Sequence, residues 1–123
     1  MSTRDFNPIQ KAEAYIYKGK VTRVIDGDTI DVDLDLGFNI HYKQRFRLYG
    51  INAPEVRGIE KVAGKASKEA LKQMIAGKSV LIRTYKDKKG KYGRYLAYIY
   101  SHDDKICIND EMIRQGHAVK YGA

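Results

Sequence analysis

The fold is decided by the stretch from Lys20 to Leu36, which reads KVTRVIDGDTIDVDLDL. Its first part is rich in β-branched residues, which predicts a strand. The dipeptide Asp26-Gly27 predicts a tight hairpin turn of type I′, because that turn requires positive φ angles. After the turn, apolar and acidic residues alternate up to Leu36, as they do in a strand with one buried face. The stretch therefore predicts an antiparallel hairpin.

The remaining sequence adds further strands and a long helix. By composition, strands are predicted at residues 14–17, 44–51, 79–85 and 96–100. Apolar residues recur at helical spacing from Ala63 to Ile75, and Gly77 is placed to end that helix. These elements predict strands closing around a single core.

A shorter helix is predicted near the C-terminus. It is expected to begin with Asn109 or Asp110 as its N-cap and to end at Gly116. About five strands and two or three packed helices predict a mixed α+β, mainly β fold, namely a small closed barrel of the OB type.

The chain is 123 residues long, which suits one domain. Residues 1–13 are predicted to form a loose arm. Residues 14–123 are predicted to form one folded domain, because no linker or repeat divides this range. No apolar run suits a signal peptide or a membrane span. We therefore expect no membrane association, and a cytoplasmic or phage-associated protein unless a leader was removed. A monomer is expected.

Charge is distributed unevenly along the chain, which has a net charge of +8. Twelve basic residues and three acidic ones lie from Arg57 to Arg94, whereas five aspartates and no basic residue lie from Asp26 to Asp35. The excess of basic residues favours binding of a polyanion such as nucleic acid. An acidic spot within a basic protein indicates a cation site beside a phosphate site, although a solvated lysine-rich surface would give the same net charge.

Asp28 is distinguished from the other aspartates by its parity. Asp31, Asp33 and Asp35 alternate with apolar residues and are predicted to form a solvated edge, whereas Asp28 falls on the apolar parity. An inward carboxylate is costly unless it is paired or bound to a metal. An EF-hand loop is excluded, because its sixth and twelfth positions would be Leu36 and Tyr42.

A second segment carries arginines and hard oxygens. Arg45 and Arg47 share one face of a predicted strand that breaks at Pro54, with Asn52 and Glu55 beside the break. Arginine can grip two phosphate oxygens, and Asn and Glu oxygens suit calcium. A surface turn with a salt bridge accounts equally well for this spacing. A third segment, residues 87–94, is a basic glycine-punctuated turn that reads DKKGKYGR.

Four motifs follow one another in the chain, and they read IDGDT at 25–29, FRL with PE at 46–55, KYGR with LAYIY at 91–100, and IRQG at 113–116. Together they resemble the staphylococcal (micrococcal) nuclease family, also called the thermonuclease or SNase-like family. The resemblance runs from about Lys20 to Tyr121.

The resemblance implies an OB-type barrel that cleaves DNA and RNA with calcium, leaving 3′-phosphate and 5′-hydroxyl ends. Single-stranded substrates are expected to be preferred. The implied catalytic residues are Arg47, Glu55 and Arg94. The implied metal ligands are Asp28, Asn52 and Ala53. The implied substrate contacts are Lys91, Tyr92 and Tyr121.

Asn52 stands where the family usually has an aspartate, which predicts weaker calcium binding. The loop between Glu55 and the following helix is also shorter than in the family. The alternative function is a non-catalytic OB-type module that binds single-stranded nucleic acid. The retention of Asp28, Arg47, Glu55 and Arg94 favours catalysis.

Overall fold

A computed structural model of the protein describes residues 15–86 and 95–121. The strands are β1 Tyr15–Asp26, β2 Thr29–Asp35, β3 His41–Leu48, β4 Ile51–Asn52, β5 Ser79–Lys86, β6 Tyr95–Ser101 and β7 Val119–Lys120. The helices are α1 Lys61–Ile75 and α2 Ile108–Arg114, and a short 3-10 turn covers Gly58–Glu60. The predicted arm at residues 1–13 lies outside the described residues.

Five strands form a closed barrel in the order β1-β2-β3-β6-β5, with β5 pairing back onto β1. Neighbouring strands are antiparallel except β3 and β6, which run parallel and join Phe46–Leu48 to Tyr95–Ala97. β4 and β7 form a separate two-stranded pair. The predicted fold class, a mainly β OB-type barrel with packed helices, is confirmed.

Alternation along the strands builds the core. Ile30, Val32 and Leu34 of β2 are buried, as their parity predicts. Helix α1 adds Leu71 and Ile75 to the same core. The predicted strand at residues 44–51 is wrong in its extent, because β3 ends at Leu48 and Gly50 adopts a φ of 78° before β4 begins. None of the helices within the described ranges has the length and apolar composition to cross a bilayer.

The β1–β2 hairpin is confirmed, but the predicted turn type is wrong. The loop residues are Gly27 and Asp28, and neither has a positive φ. Glycine is required here for space instead, because a Cβ on Gly27 would overlap the hydroxyl oxygen of Ser67 in α1. The turn is therefore shaped by a helix that lies distant in the sequence.

The two helix ends differ in how well the sequence predicts them. Gly77 follows α1 with a φ of 71°, as expected of a glycine at that end. Helix α2 begins instead at Ile108, and Cys107 is the N-cap without a side-chain cap hydrogen bond. Neither Asn109 nor Asp110 is the N-cap, so that prediction is wrong.

Asn109 has a different structural role inside the protein. It is fully buried, and its Oδ1 accepts a hydrogen bond from the Ile99 N–H at 2.9 Å. Its Nδ2 donates to the carbonyl oxygens of Tyr49 at 2.9 Å and Ala97 at 3.0 Å. The amide thus satisfies three backbone groups and joins α2 to β6 and to the end of β3.

Candidate functional site

A polar cavity of about 520 Å³ opens at one mouth of the barrel. Five predicted site residues line it together: Asp28, Arg47, Asn52, Ala53 and Glu55. They come from three separate places in the chain, namely the β1–β2 turn, strand β3 and the segment that ends β4. The fold therefore brings residues distant in sequence to one surface.

Asp28 points inward and is only 7% exposed. Its Oδ2 accepts a hydrogen bond from the Ala53 N–H at 2.9 Å, and its Oδ1 accepts one from the Thr29 hydroxyl at 3.0 Å. The guanidinium Nη2 of Arg47 lies 3.5 Å from Oδ2. These partners offset the desolvation cost of burying the carboxylate. The predicted inward orientation of Asp28 is confirmed.

Arg47 is oriented by several neighbours at once. The β2–β3 register sets it opposite Thr29, beside the Asp28 turn. Its Nη2 donates to Asn52 Oδ1 at 3.0 Å, and its Cζ lies 5.1 Å from the ring centroid of Tyr121. A guanidinium carries five N–H donors, more than these contacts use. The group is therefore held in place while it keeps donors for an anion.

Tyr121 reaches Arg47 through the small β4–β7 pair. Its N–H donates to the Gly50 carbonyl at 2.8 Å, directly after β7 pairs with β4. The residue as a whole is 57% exposed, so Tyr121 contacts the guanidinium while part of it remains open to solvent. The predicted nucleotide contact stays a prediction, and orientation of Arg47 is a further role that the geometry allows.

Glu55 lies at the exposed rim of the same cavity. Its backbone is packed closely on α1, because a Cβ on Gly64 would overlap the Glu55 carbonyl oxygen. The side chain is thus exposed while its turn is fixed from behind. This arrangement suits a group that must meet water and substrate.

The oxygen atoms around the cavity are of the kind that a hard cation binds. Asp28 supplies a carboxylate, Asn52 an amide oxygen and Ala53 a backbone carbonyl, all hard oxygens of the kind calcium accepts together with water. Within residues 15–86 and 95–121, no group of three or more His, Cys, Asp or Glu side chains is arranged to hold a metal ion. The donor chemistry fits a hard cation held by few protein charges.

Three predicted residues, Lys91, Tyr92 and Arg94, lie outside the described residues. Tyr95, the next described residue, lines the cavity. In the sequence, the basic motif ends at Arg94, directly before this tyrosine.

Several cavity residues were not predicted as site residues from the sequence: Asp26, Thr29, Gln44, Arg45 and Tyr95. Asp26 and Thr29 are paired at the end of the hairpin, and their position beside Asp28 was an available signal. Arg45 forms a bidentate pair with Asp31, with distances of 2.8 and 3.1 Å. This hydrogen-bonded guanidinium holds the pKa of Asp31 below its ordinary value.

A small closed barrel with a buried carboxylate, an oriented arginine and a rim glutamate beside one cavity defines an OB-type domain. The chain belongs to the family described as staphylococcal nuclease homologue, whose model matches residues 45–123. The resemblance of the sequence motifs to this family is therefore confirmed.

Three relatives illustrate the similarity. An uncharacterized endonuclease of Escherichia coli is 35% identical over 103 residues, which is 84% of this chain and 60% of the relative. A thermonuclease of Staphylococcus intermedius is 34% identical over 111 residues, 88% of this chain and 60% of the relative. A thermonuclease of Staphylococcus hyicus is 35% identical over 102 residues, with shares of 80% and 56%. The chain thus spans somewhat more than half the length of these relatives.

Proposed function

We propose that this protein is a calcium-dependent nuclease that hydrolyses phosphodiester bonds of DNA and RNA to 3′-phosphate and 5′-hydroxyl products. The single observation that carries the proposal is the cavity in which Asp28, Arg47 and Glu55 meet, in a chain of the nuclease family. Single-stranded substrates are proposed to be preferred, as the resemblance to the family implies.

Arg47 binds the scissile phosphate in this proposal. Hydrolysis of a phosphodiester puts additional negative charge on the oxygens around phosphorus as water attacks. A guanidinium already fixed by Asp28 and Asn52 stabilises that charge without reorganising. Arg94 is proposed as a second guanidinium for the same phosphate, on the basis of its motif alone.

Glu55 orients the attacking water and accepts its proton. A general base must reach its water within hydrogen-bond distance, and a carboxylate at the exposed rim can do so. The proton passes from the water oxygen to a Glu55 carboxylate oxygen as the phosphorus–oxygen bond forms. The bond between phosphorus and the 5′ oxygen then breaks, and this oxygen takes up a proton from solvent water to give the 5′-hydroxyl end.

Asp28, Asn52 and Ala53 are proposed to hold the calcium ion. When bound, calcium supplies positive charge and gathers water and phosphate oxygens in one shell. Asp28 is expected to contribute most to calcium affinity, because it alone of these three ligands carries a charge. Lys91, Tyr92 and Tyr121 are proposed to contact the nucleotides on either side.

The test is digestion of single-stranded DNA by the purified protein, with calcium or with a chelator. Glu55→Gln is expected to lower kcat at least about 100-fold, and Arg94→Ala is expected to have a similar effect. Glu60→Gln is the matched control, because this exposed carboxylate lies five residues away and does not line the cavity. It should digest DNA at the wild-type rate.

Two results would contradict the proposal. Digestion that persists in Glu55→Gln would remove the general base. Salt-dependent DNA binding without any cleavage would instead identify the non-catalytic OB-type module.

A further inference from the structure

Helix α1 turns one narrow face toward the candidate site. Its buried residues are Gly64, Ser67, Leu71 and Ile75. Leu71 and Ile75 belong to the apolar core, whereas Gly64 and Ser67 are small and lie toward the start of the helix. Glycine weakens a helix interior relative to alanine, so a packing reason for Gly64 is expected.

Gly64 contacts the turn that carries Glu55. A Cβ on Gly64 would overlap the Glu55 carbonyl oxygen and carbon and would lie 2.7 Å from the Val56 nitrogen. All of these are backbone atoms, which cannot move aside as a flexible side chain could. The absence of a side chain at Gly64 therefore determines how closely the Glu55 turn approaches the helix.

Ser67 contacts the turn that carries Asp28. A Cβ on Gly27 would overlap the Ser67 hydroxyl oxygen and would also lie 2.9 Å from the Cβ of Ala53. Ser67 is 1% exposed, and its hydroxyl donates to the His117 carbonyl at 2.8 Å. One serine thus supports the Asp28 turn and fixes the segment that leads into β7.

The spacing of these contacts is set by helix geometry. Residues three apart lie on one face of an α-helix, about 4.5 Å apart along its axis. The two turns therefore rest on a single rigid support. We propose that the Gly64–Ser67 face of α1 positions Asp28 and Glu55 relative to each other. The inference rests on the role given to Glu55 in the proposed function, and both small residues are positioning residues.

The first test is Gly64→Ala, with kcat and KM measured separately on single-stranded DNA. The added methyl pushes the Glu55 turn outward, and a displacement of this kind is expected to lower kcat about 100-fold. KM is expected to stay within about twofold, because Arg47 is not displaced. Ala66→Gly is the matched control, since it weakens the same helix at an exposed position. It should lower the unfolding midpoint and leave kcat near wild type.

A second test does not depend on the folding of Gly64→Ala. Gly27→Ala should lower kcat through overlap with the Ser67 hydroxyl, and adding Ser67→Gly removes that obstacle. The double variant is expected to recover at least about tenfold in kcat over Gly27→Ala, because the two positions are in contact. Recovery is partial, since the Ala53 methyl group remains close. A double variant no faster than Gly27→Ala would overturn the proposal, as would a kcat near wild type in Gly64→Ala.

Failure of the proposed function can be recognised separately. If the wild-type protein cleaves no DNA, the nuclease assignment fails, and the positioning is judged from backbone amide NMR shifts. Gly64→Ala must then shift the signals of Glu55 and Val56, whereas Ala66→Gly must leave them in place. Equal shifts in the two variants would overturn the positioning role.

Discussion

Strand β3 and the β1–β2 hairpin make two aspartate–arginine pairs that differ in geometry and environment. Asp31 and Arg45 form a bidentate pair with distances of 2.8 and 3.1 Å, and their side chains are 29% and 57% exposed. Asp28 and Arg47 lie 3.5 Å apart, with side chains only 10% and 15% exposed. The better-formed pair is thus the more exposed one, where such pairs contribute little free energy.

The difference is explained by the neighbours of each aspartate. The outer aspartates of β2 stand between basic or titratable residues of β1 and β3, in three rows: Arg23–Asp31–Arg45, Lys20–Asp33–Lys43 and Lys18–Asp35–His41. Asp31 is ion-paired with Arg45, and His41 Nδ1 lies 3.4 Å from Asp33 Oδ1. Asp28 instead shares Arg47 with Asn52 and Tyr121. Asp28 and Arg47 are therefore held in place beside the cavity while the guanidinium keeps donors for a ligand. Asp31 and Arg45 are instead joined to each other by two direct hydrogen bonds.

The largest expected effect is a difference in kcat between variants of Arg47 and Arg45. Arg47→Ala should lower kcat about 10²–10³-fold, as the loss of one preorganised donor does. Arg45→Ala removes the same side chain two positions away and should change kcat less than about tenfold, because its guanidinium is committed to Asp31. Steady-state kinetics on single-stranded DNA measure both. Equal losses would mean that the cavity uses the two arginines alike.

The two aspartates should differ next in stability. Asp28→Asn leaves the Ala53 N–H, the Thr29 hydroxyl and Arg47 facing an amide, and it is expected to cost about 1–3 kcal/mol in the free energy of unfolding. Asp31→Asn should cost less than about 1 kcal/mol. Urea unfolding in the presence of a chelator compares them without a contribution from calcium. A larger loss for Asp31→Asn would reverse the comparison.

Asn52, which is exposed at the cavity, offers a way to increase the negative charge of the site. Asn52→Asp adds a second carboxylate beside Asp28 and should lower the calcium concentration that gives half-maximal activity about tenfold, because ligand charge tunes calcium affinity. Gln44→Glu adds the same charge elsewhere on the cavity wall and should have a smaller effect. An unchanged calcium requirement in Asn52→Asp would argue against a cation next to this residue.

The smallest effect concerns the exposed pair and pH. The hydrogen bond from Arg45 lowers the pKa of Asp31 in the folded protein. A lowered pKa contributes stability above the unfolded-state pKa, near pH 4, and that stability is lost as the pH falls through the folded-state pKa. The stability difference between wild type and Asp31→Asn should therefore be present at pH 6 and shrink as the pH falls below about 4. A difference that stays constant on acidification would contradict this origin.

Sequence patterns predicted the parts of the site that depend on local periodicity. The inward direction of Asp28 was predicted by extending the parity of β2 back by one residue, although Asp28 itself lies in the turn. The shared face of Arg45 and Arg47 followed from their spacing. The pairing of Arg45 with Asp31 depends on the β2–β3 register, which one strand cannot reveal. The parity of β2 alone could therefore separate Asp28 from its neighbours, but could not find their partners.

Two errors have a common physical cause. Gly27 is a residue type typical of positive-φ turns, and Asn109 is one typical of helix N-caps. The structural role of each is nevertheless determined by contacts with residues distant in the sequence. Gly27 must make room for α1, and Asn109 must satisfy three backbone groups of other elements. Tertiary packing overrides local preference at such positions, and a single sequence carries no record of it.

The parallel pairing of β3 with β6 belongs to the barrel and to the cavity at once. Within the described residues it joins Phe46–Leu48 to Tyr95–Ala97, and Arg47 and Tyr95 on these two strands also line the cavity. Any substitution that weakens this pairing therefore alters the cavity wall together with the closure of the barrel.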